Sequence, residues 1–573
     1  LNINVVVPTL AASHGTVGCV FVFLVIYIIL GIPLLYMELI IGQFTGRDCV
    51  KAWEIRPFLS YTGYVMILWQ LIILIYNHAF VAFIVYYFLI SFENPIPYYT
   101  CGPWSTRDCN ILLHNYTVNE DCVRSRRPDS YCDNVHTTFP EYQYWRNHVL
   151  QVNKNTFTVA WRICLASGLV CAILYLSCFK RKKSFEYIVY LPLYPILGFV
   201  IFLLASMLQK GLTVKFEEAL DLDFSDFSKK FRLANAIQQI VYSLGVGSGI
   251  TLSYASSSSF RSNCFSNSVI SVVVSAVFTI LVVCTTTMMS CPYAYHYSVS
   301  PGSVINTQMS LIFEKIPRLL SQYENRLLWL ILLYSCYAAA GLCTNVILFY
   351  SLIETVAMKY QKLANYPGLT CVIAIVIVFL ATIPLLSNFG VIFSIAFRRY
   401  VTLISIFFVI IENIVFVISY GVHRFSEDVH FMLGIQPSFF MKTAWILASV
   451  LLGYAFCAEI VYYYKYYLKN YPPITDILGI CLVLIVCGIM VVLPVGKLIV
   501  GLFRKRFMKA LKQKQDWGPQ SDVLQRSRAM FSAQAMTKEY MYRQYHLQAG
   551  ITSRQRNANK RSTSAYDEQR YSL

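Results

Sequence analysis

The sequence predicts an all-α, polytopic membrane protein, and three observations support this fold class. The 573 residues are 57% hydrophobic and only 13% charged, which is too apolar for one compact core in water. Runs of about 20 apolar residues recur along the chain, and a helix of that length crosses a hydrocarbon layer of roughly 30 Å. Short basic segments lie beside these runs, as they do at the cytoplasmic ends of membrane spans.

About eleven complete spans follow from this pattern, and they form a predicted transmembrane domain over residues 1–501. The spans are residues 17–41, 62–91, 158–179, 186–209, 234–257, 267–292, 326–357, 370–386, 400–421, 440–466 and 474–500. Residues 1–13 look like the second half of a further span, so we expect the chain to begin inside a first helix. A signal peptide is the alternative, but this segment has no basic n-region and no small-residue cleavage site.

The net charge of +18 is concentrated in two places, which argues against a nucleic-acid-binding face. Lys180, Arg181, Lys182 and Lys183 form one short loop, and residues 502–573 carry 15 Lys and Arg against five Asp and Glu. The positive-inside rule predicts that both segments are cytoplasmic. We therefore expect a basic tail, residues 502–573, that attracts anionic membrane lipid, and we expect no nucleic-acid partner.

The longest polar stretch between spans, residues 92–157, is predicted to be an extracellular loop. It contains the sequon Asn115-Tyr116-Thr117, so we expect glycosylation at Asn115. Its four cysteines are Cys101, Cys109, Cys122 and Cys132. Cys101 and Cys109 flank a turn-prone Gly-Pro-Trp segment, which favours a disulfide between these two on the lumenal side. Four cysteines allow three pairings, and free thiols in a disordered loop are the remaining alternative.

The basic tail has no sustained apolar periodicity, so part of it is predicted to be helical and part disordered. It ends in Tyr571-Ser572-Leu573, which could add a strand to the groove of a PDZ-type partner. Two apolar residues at a C-terminus are common, so this pattern is weak evidence for such a partner.

A first motif closes the span of residues 17–41. It consists of Gly31-Ile32-Pro33, then Glu38, then Gly42-Gln43. Glu38 is an acid inside the membrane, and such a group must find hydrogen-bond donors or stay protonated.

A second motif places three glycines at alternate positions in the middle of the span of residues 234–257. Gly245, Gly247 and Gly249 each weaken a helix by about 1 kcal/mol relative to alanine. A glycine-rich contact between helices is the alternative, but a spacing of two residues fits helix packing poorly. We predict a break in this helix, with its freed amides and carbonyls lining a cavity.

A third motif begins at Tyr420-Gly421, passes through Arg424-Phe425 and Asp428, and continues to Met432-Leu433-Gly434 and Trp445. The three motifs resemble signatures of the neurotransmitter:sodium symporter family, and the chain is identified as a divergent member over residues 1 to about 500. Two shorter segments also match, Tyr76-Asn77 and Ala340-Gly341-Leu342. The resemblance implies two inverted five-helix repeats with broken first and sixth helices, and a Glu38 that hydrogen-bonds the broken sixth helix.

The resemblance also implies a set of site residues. The sodium positions are Ser243, Ser275, Ala340, Cys343 and Thr344; the chloride positions are Gln239, Ser243, Ser275 and Thr279; the substrate positions are Tyr76, Tyr242, Gly245, Gly247 and Asn345. Several positions depart from the family pattern. Ile3 and Ser275 align with sodium-binding asparagines, Cys343 offers sulfur where a hard oxygen is usual, and Phe23 aligns with a chloride-binding tyrosine. The extracellular gate pair is replaced by Val6 and Arg398.

The function that these features imply is sodium-coupled symport of a small amine or amino acid across the plasma membrane, with sodium and, in the chloride-dependent branch, chloride as co-transported ions. The alternative is a transport-inactive paralogue that binds a ligand or partner, because the ion positions are eroded. An enzyme is not expected, since no H-E-x-x-H, P-loop or G-x-S-x-G motif occurs.

Overall fold

A computed structural model gives the fold. It describes residues 2–106, 109, 139–152, 157–179, 190–207, 215–217, 220, 233–296, 299–305, 311–465, 474–504, 508, 511, 513–514 and 517–531. These residues form helices and connecting turns with no β-strand, apart from one isolated bridge between Val159 and Ser387. The predicted all-α fold class is therefore confirmed.

The longer helices follow the predicted spans closely. They are α1 (Asn2–His14), α2 (Thr16–Thr45), α3 (Ser60–Ile90), α4 (Trp161–Cys178), α5 (Leu193–Ser206), α6 (Leu233–Leu244), α7 (Ile250–Ser256), α8 (Cys264–His296), α9 (Arg326–Lys359), α10 (Pro367–Thr382), α11 (Gly390–Asn413), α12 (Val422–Leu433), α13 (Phe439–Tyr463), α14 (Ile474–Phe503) and α15 (Asp522–Met530). Within the described ranges, nine helices are long and apolar enough to cross a membrane: α2, α3, α4, α8, α9, α10, α11, α13 and α14.

The two remaining predicted spans differ from a single long helix. The 186–209 span contains α5, which is a shorter apolar helix of 14 residues. The 234–257 span is divided into α6 and α7, as the alternating glycines predicted. Helix α11 begins ten residues before the predicted 400–421 span, and this additional stretch contains Arg398, which lines a cavity.

The break between α6 and α7 has glycine at each residue of left-handed conformation. Gly245, Gly247 and Gly249 have φ values of +69°, +78° and +79°, which residues with a Cβ rarely adopt. Space also requires glycine at residue 247, because a Cβ there would meet Val409 Cγ2 at 2.4 Å and Val409 N at 3.1 Å. The segment between the two helices is thus pressed against α11.

Helix α2 contains one wide, π-helical turn at Tyr27–Gly31, which ends two residues before Pro33. Such a turn inserts an extra residue and changes the direction of the side chains that precede it. It also lies where the backbone hydrogen-bond ladder of α2 lacks a donor, because Pro33 has no N–H. The turn decides which α2 side chains face α6 and α8.

The core is formed by α3 against α9, α2 against α7, and α11 against α14, while α1 packs on α8. The predicted disulfide between Cys101 and Cys109 is confirmed. Asn115, Cys122 and Cys132 lie outside the described residues.

A described part of the C-terminal tail docks on the connections between helices. Trp517 is buried and donates its Nε1–H to the carbonyl of Ala52 at 2.9 Å. On α15, Arg528 Nε lies 2.5 Å from Asp428 Oδ1 of α12. The division into a transmembrane domain, 1–501, and a tail, 502–573, stays a prediction.

Candidate functional site

The unwound segment between α6 and α7 borders a cavity of about 320 Å³ that several helices enclose. Side chains from α3, α8, α9 and α11 complete its wall. The lining residues are Ile73, Asn77, Tyr242, Ser243, Leu244, Gly245, Val246, Ser248, Ile250, Phe278, Ala340, Thr344, Ile347, Leu348 and Ser405. The cavity combines an apolar wall with a few hydroxyl, amide and main-chain groups, as small-ligand sites do.

Two buried side chains, Glu38 and Gln70, form hydrogen bonds with the backbone of the unwound segment. The N–H of Gly247 donates to Glu38 Oε1 of α2 at 2.5 Å. Gln70 of α3 donates to the carbonyl of Ser248 at 2.7 Å and accepts from Ser351 of α9 at 3.2 Å. Main-chain groups that a continuous helix would pair are therefore satisfied by fixed side chains, as a break at membrane depth requires.

Three of the five predicted sodium residues lie together on the cavity wall. They are Ser243, Ala340 and Thr344. The Ser243 hydroxyl donates to the carbonyl of Ile240 at 2.9 Å, and the Thr344 hydroxyl donates to the carbonyl of Ala340 at 3.2 Å. Hydroxyl and carbonyl oxygens are the hard ligands that sodium requires.

The other two predicted sodium residues are placed differently. Cys343 is 8% exposed and does not line the cavity. The Ser275 hydroxyl donates to the carbonyl of Ser271, one turn earlier on α8, at 2.8 Å. The structure brings neither side chain into the group formed by Ser243, Ala340 and Thr344.

Two of the four predicted chloride residues, Ser243 and Thr279, contact a tyrosine that the motifs did not single out. The hydroxyl of Tyr27 lies 3.4 Å from Ser243 Oγ and 3.1 Å from Thr279 Oγ1. The aligned position, Phe23, lies one turn earlier and is 2% exposed in the core. Tyr27, where the wide turn of α2 begins, presents its phenol to α6 and α8.

The remaining predicted chloride residues, Gln239 and Ser275, each lie one helical turn before a member of this cluster. Gln239 lies on α6, one turn before Ser243, and is 9% exposed. The Thr279 hydroxyl also contacts the carbonyl of Ser275 at 2.8 Å. The signal for Tyr27 in the sequence was its place one helical turn after Phe23, the position at which the family has a tyrosine.

Only two of the five predicted substrate residues line this cavity. Tyr242 and Gly245 line the 320 Å³ cavity. Gly247 faces Val409 and Ser405 of α11 instead. Asn345 is fully buried and accepts from the Asn77 amide at 2.7 Å, so its carbonyl oxygen is directed at α3.

Tyr76 lines a second cavity, of about 470 Å³. Its ring packs on Phe397 with centroids 4.5 Å apart, and the Tyr76 and Tyr242 phenols interact electrostatically. The second cavity is lined by Tyr76, Ala79, Phe80, Phe83, Tyr142, Trp145, Arg146, Leu150, Val152, Phe313, Glu314, Leu385, Ser394 and Arg398. Arg398 and Glu314 thus share this aromatic cavity, and Val6 is not part of it.

Known proteins resemble this chain over most of its length. The model of the sodium:neurotransmitter symporter family matches residues 6–501. The chain is 24% identical to the sodium-dependent dopamine transporter of Bos taurus over 450 residues, which is 77% of this chain and 63% of the relative. It is 24% identical to the sodium- and chloride-dependent glycine transporter 1 of Xenopus laevis over 531 residues, or 89% of this chain and 84% of that relative.

Proposed function

The chain belongs to the sodium:neurotransmitter symporter family, and we propose that it is a sodium-coupled secondary-active transporter of a small amine or amino acid. The observation that carries this proposal is the cavity at the break between α6 and α7. It joins Ser243, Ala340 and Thr344 to Tyr242 and the exposed backbone of Gly245. A broken helix at membrane depth is the usual place for substrate and coupling ions in secondary transporters.

Sodium would be held by oxygen atoms of this wall. The hydroxyls of Ser243 and Thr344 and the carbonyl of Ala340 supply three hard ligands, and freed backbone carbonyls can supply more. Movement of sodium down its electrochemical gradient supplies about 2.3 kcal/mol per charge per 100 mV. This free energy is sufficient to concentrate a small solute when both bind the same conformation.

The substrate would occupy the rest of the cavity. Leu244, Val246, Phe278 and Leu348 offer apolar contact, while Tyr242 places an aromatic ring beside the unwound backbone. A volume of about 320 Å³ suits a small amine or amino acid and excludes a large peptide. The dopamine and glycine carriers named above fall within this class of substrate.

Sodium dependence of uptake tests the proposal. Cells that express the protein are assayed with a panel of labelled amines and amino acids while sodium is varied. Ser243→Ala and Thr344→Ala each remove one hydroxyl from the wall, which should cost about 1–3 kcal/mol of sodium binding. This corresponds to a roughly five- to 150-fold weaker apparent sodium affinity.

Thr443→Ala is the matched control, because Thr443 is exposed and bonds only within its own helix, α13. We expect its sodium curve to equal that of the wild type. Equal curves for Ser243→Ala, Thr344→Ala and Thr443→Ala would contradict the sodium assignment. Ligand binding without any uptake would favour the alternative, a transport-inactive binding protein.

A further inference from the structure

A further cavity, of about 390 Å³, lies between α3, α9 and α10. Its wall follows each helix for about two turns, between residues 64 and 71 on α3, 349 and 356 on α9, and 370 and 378 on α10. Seven residues of helix rise by about 10 Å, so the cavity is elongated along the helix axes. None of its residues lines either cavity described above.

One side of this cavity opens on the lipid-facing surface of the helices. Leu68, Ile373 and Ile377 belong to its wall and are about half exposed. On the inner side, Phe349 and Ile353 are buried. Because α3, α9 and α10 are each long and apolar enough to cross a membrane, the medium at this opening is hydrocarbon rather than water.

The wall offers a ligand almost no polar contact along its length. Among the described residues that form it, only Tyr64 and Thr370 have polar side chains. The Thr370 hydroxyl is already used, since it donates to the carbonyl of Leu363 at 2.9 Å and lies 3.1 Å from the carbonyl of Tyr366. A polar molecule would lose its hydrogen bonds on entering. The chemistry of the wall therefore selects a hydrocarbon chain.

A lysine lies at one end of the cavity. Lys359, the last residue of α9, is exposed, and its ammonium donates to the Tyr64 hydroxyl at 2.9 Å. Val356, one turn earlier on α9, belongs to the wall together with Tyr64. Within the described ranges Lys359 forms no ion pair. The carboxylate of Asp48 also acts on this charge, but it is buried and accepts from the N–H of Lys51.

The end of the cavity that carries Lys359 is expected to be cytoplasmic. Phe179, which follows α4, lies against Gly368 in the first turn of α10. The basic sequence of residues 180–183 comes directly after it. Lys359 is at the same end, because only residues 360–366 separate it from α10. The positive-inside rule thus predicts that Lys359 faces the cytoplasmic leaflet, which contains the anionic lipids of the membrane.

We propose that this cavity binds an anionic phospholipid of the cytoplasmic leaflet, with one acyl chain between α3, α9 and α10 and the headgroup at Lys359. The apolar wall accounts for the chain, and the ammonium accounts for the charge. A single lysine matches a headgroup with one net negative charge, such as phosphatidylserine. The Tyr64 hydroxyl accepts from Lys359 and donates its own hydrogen to the same headgroup.

The lipid site and the substrate cavity lie on two shared helices. On α3, Leu71 belongs to the lipid site and Ile73 to the substrate cavity. On α9, Phe349 and Leu348 are divided in the same way. A bound chain fills the space between these helices and α10, so the lipid should stabilise the folded protein. The site does not depend on which solute the protein carries.

The first test uses phosphatidylserine with a photoreactive diazirine near the end of one acyl chain. The purified full chain is reconstituted in phosphatidylcholine nanodiscs that contain this probe, and labelled peptides are mapped by mass spectrometry. We expect label at residues 68–71 and 373–378. Phosphatidylcholine with the same photoreactive chain should label them roughly fivefold less, which is the contribution of one lysine near an anionic membrane surface. Equal labelling by the two probes would overturn the proposal.

Lys359→Gln tests the headgroup position, because it removes the charge and keeps most of the side chain. Labelling by the phosphatidylserine probe should fall about fivefold, and labelling by the phosphatidylcholine probe should not change. Lys442→Gln, at a partly exposed lysine in the first turn of α13, is the control and should match the wild type. Unchanged phosphatidylserine labelling in Lys359→Gln would contradict the site. A photoreactive fatty acid that labels more strongly, and also needs Lys359, would contradict the phospholipid.

The second test fills the cavity. Ala374→Trp places a large ring in the wall, so labelling of residues 68–71 should fall to background with both probes. Phosphatidylserine should raise the unfolding temperature of the wild type by about 1–3 °C over phosphatidylcholine, and this difference should vanish in the variant. Ile377→Trp, at a half-exposed wall residue, replaces Ala374→Trp if that variant does not fold. Labelling and stabilisation that persist in the folded variant would refute the site.

Discussion

The change Tyr27→Phe removes one hydroxyl group from the place where α2, α6 and α8 meet. That hydroxyl lies 3.4 Å from Ser243 Oγ and 3.1 Å from Thr279 Oγ1. Both partners keep a main-chain oxygen as a second contact, Ile240 O and Ser275 O. The phenyl ring keeps the packing of a side chain that is only 2% exposed, so we expect the variant to fold.

The magnitude follows from the loss of one buried hydrogen-bonding group. Leaving a buried partner unsatisfied costs about 1–3 kcal/mol. An anion held by the hydroxyls of Tyr27, Ser243 and Thr279 would lose one of its three donors by this change. We therefore expect the apparent chloride affinity to fall by roughly five- to 150-fold, with a smaller effect on the apparent affinity for substrate.

The assay measures uptake while chloride is replaced by gluconate at constant sodium. Tyr36→Phe is the matched control on the same helix, because Tyr36 is 3% exposed and its ring stacks on Trp445 with centroids 6.0 Å apart. We expect the control to keep the chloride curve of the wild type. The same curve for both variants, or a wild type that does not respond to chloride, would refute the reasoning.

Two further predictions concern the backbone break and the extracellular loop. Gly247→Ala should lower the unfolding temperature and the yield of folded protein, because φ is +78° and the new Cβ would meet Val409 at 2.4 Å; Gly488→Ala, where a Cβ meets nothing within 4 Å, is the control in a thermal-shift assay. Glycosidase treatment should increase the gel mobility of surface-expressed wild type and leave Asn115→Gln unchanged, and an unaltered wild-type band would count against an extracellular 92–157 loop.

Much of the fold could be predicted from the sequence because it depends on local patterns. Length and apolarity fix the spans, since a helix must satisfy its own backbone in lipid. The alternating glycines at residues 245, 247 and 249 predicted the break between α6 and α7, because each glycine weakens a helix. In the structure all three have a left-handed backbone, which residues with a side chain rarely adopt. The hydrogen bond between Glu38 and the broken helix was expected from the family resemblance, and the Cys101–Cys109 disulfide was expected from a short turn between the two cysteines.

The candidate site was only partly predictable. Ser243, Ala340 and Thr344 lie on the wall of one cavity, and their roles as sodium ligands stay predictions. Tyr76 and Asn345 do not line that cavity, because Tyr76 packs on Phe397 and Asn345 is held by Asn77. Such contacts join residues far apart in the chain, and no local pattern encodes them.

The sequence by itself determined that the chain spans a membrane, where its helices lie and where one of them breaks, because hydrophobic length and glycine conformation act within a few residues. Only the tertiary structure decided that Tyr27 rather than Phe23 meets Thr279, since one wide turn in α2 changes the direction of its side chains. It also brought Glu412 to Glu38 across more than 370 residues of chain. The charge of a buried acid depends on the groups that surround it, and only the tertiary structure shows which groups these are.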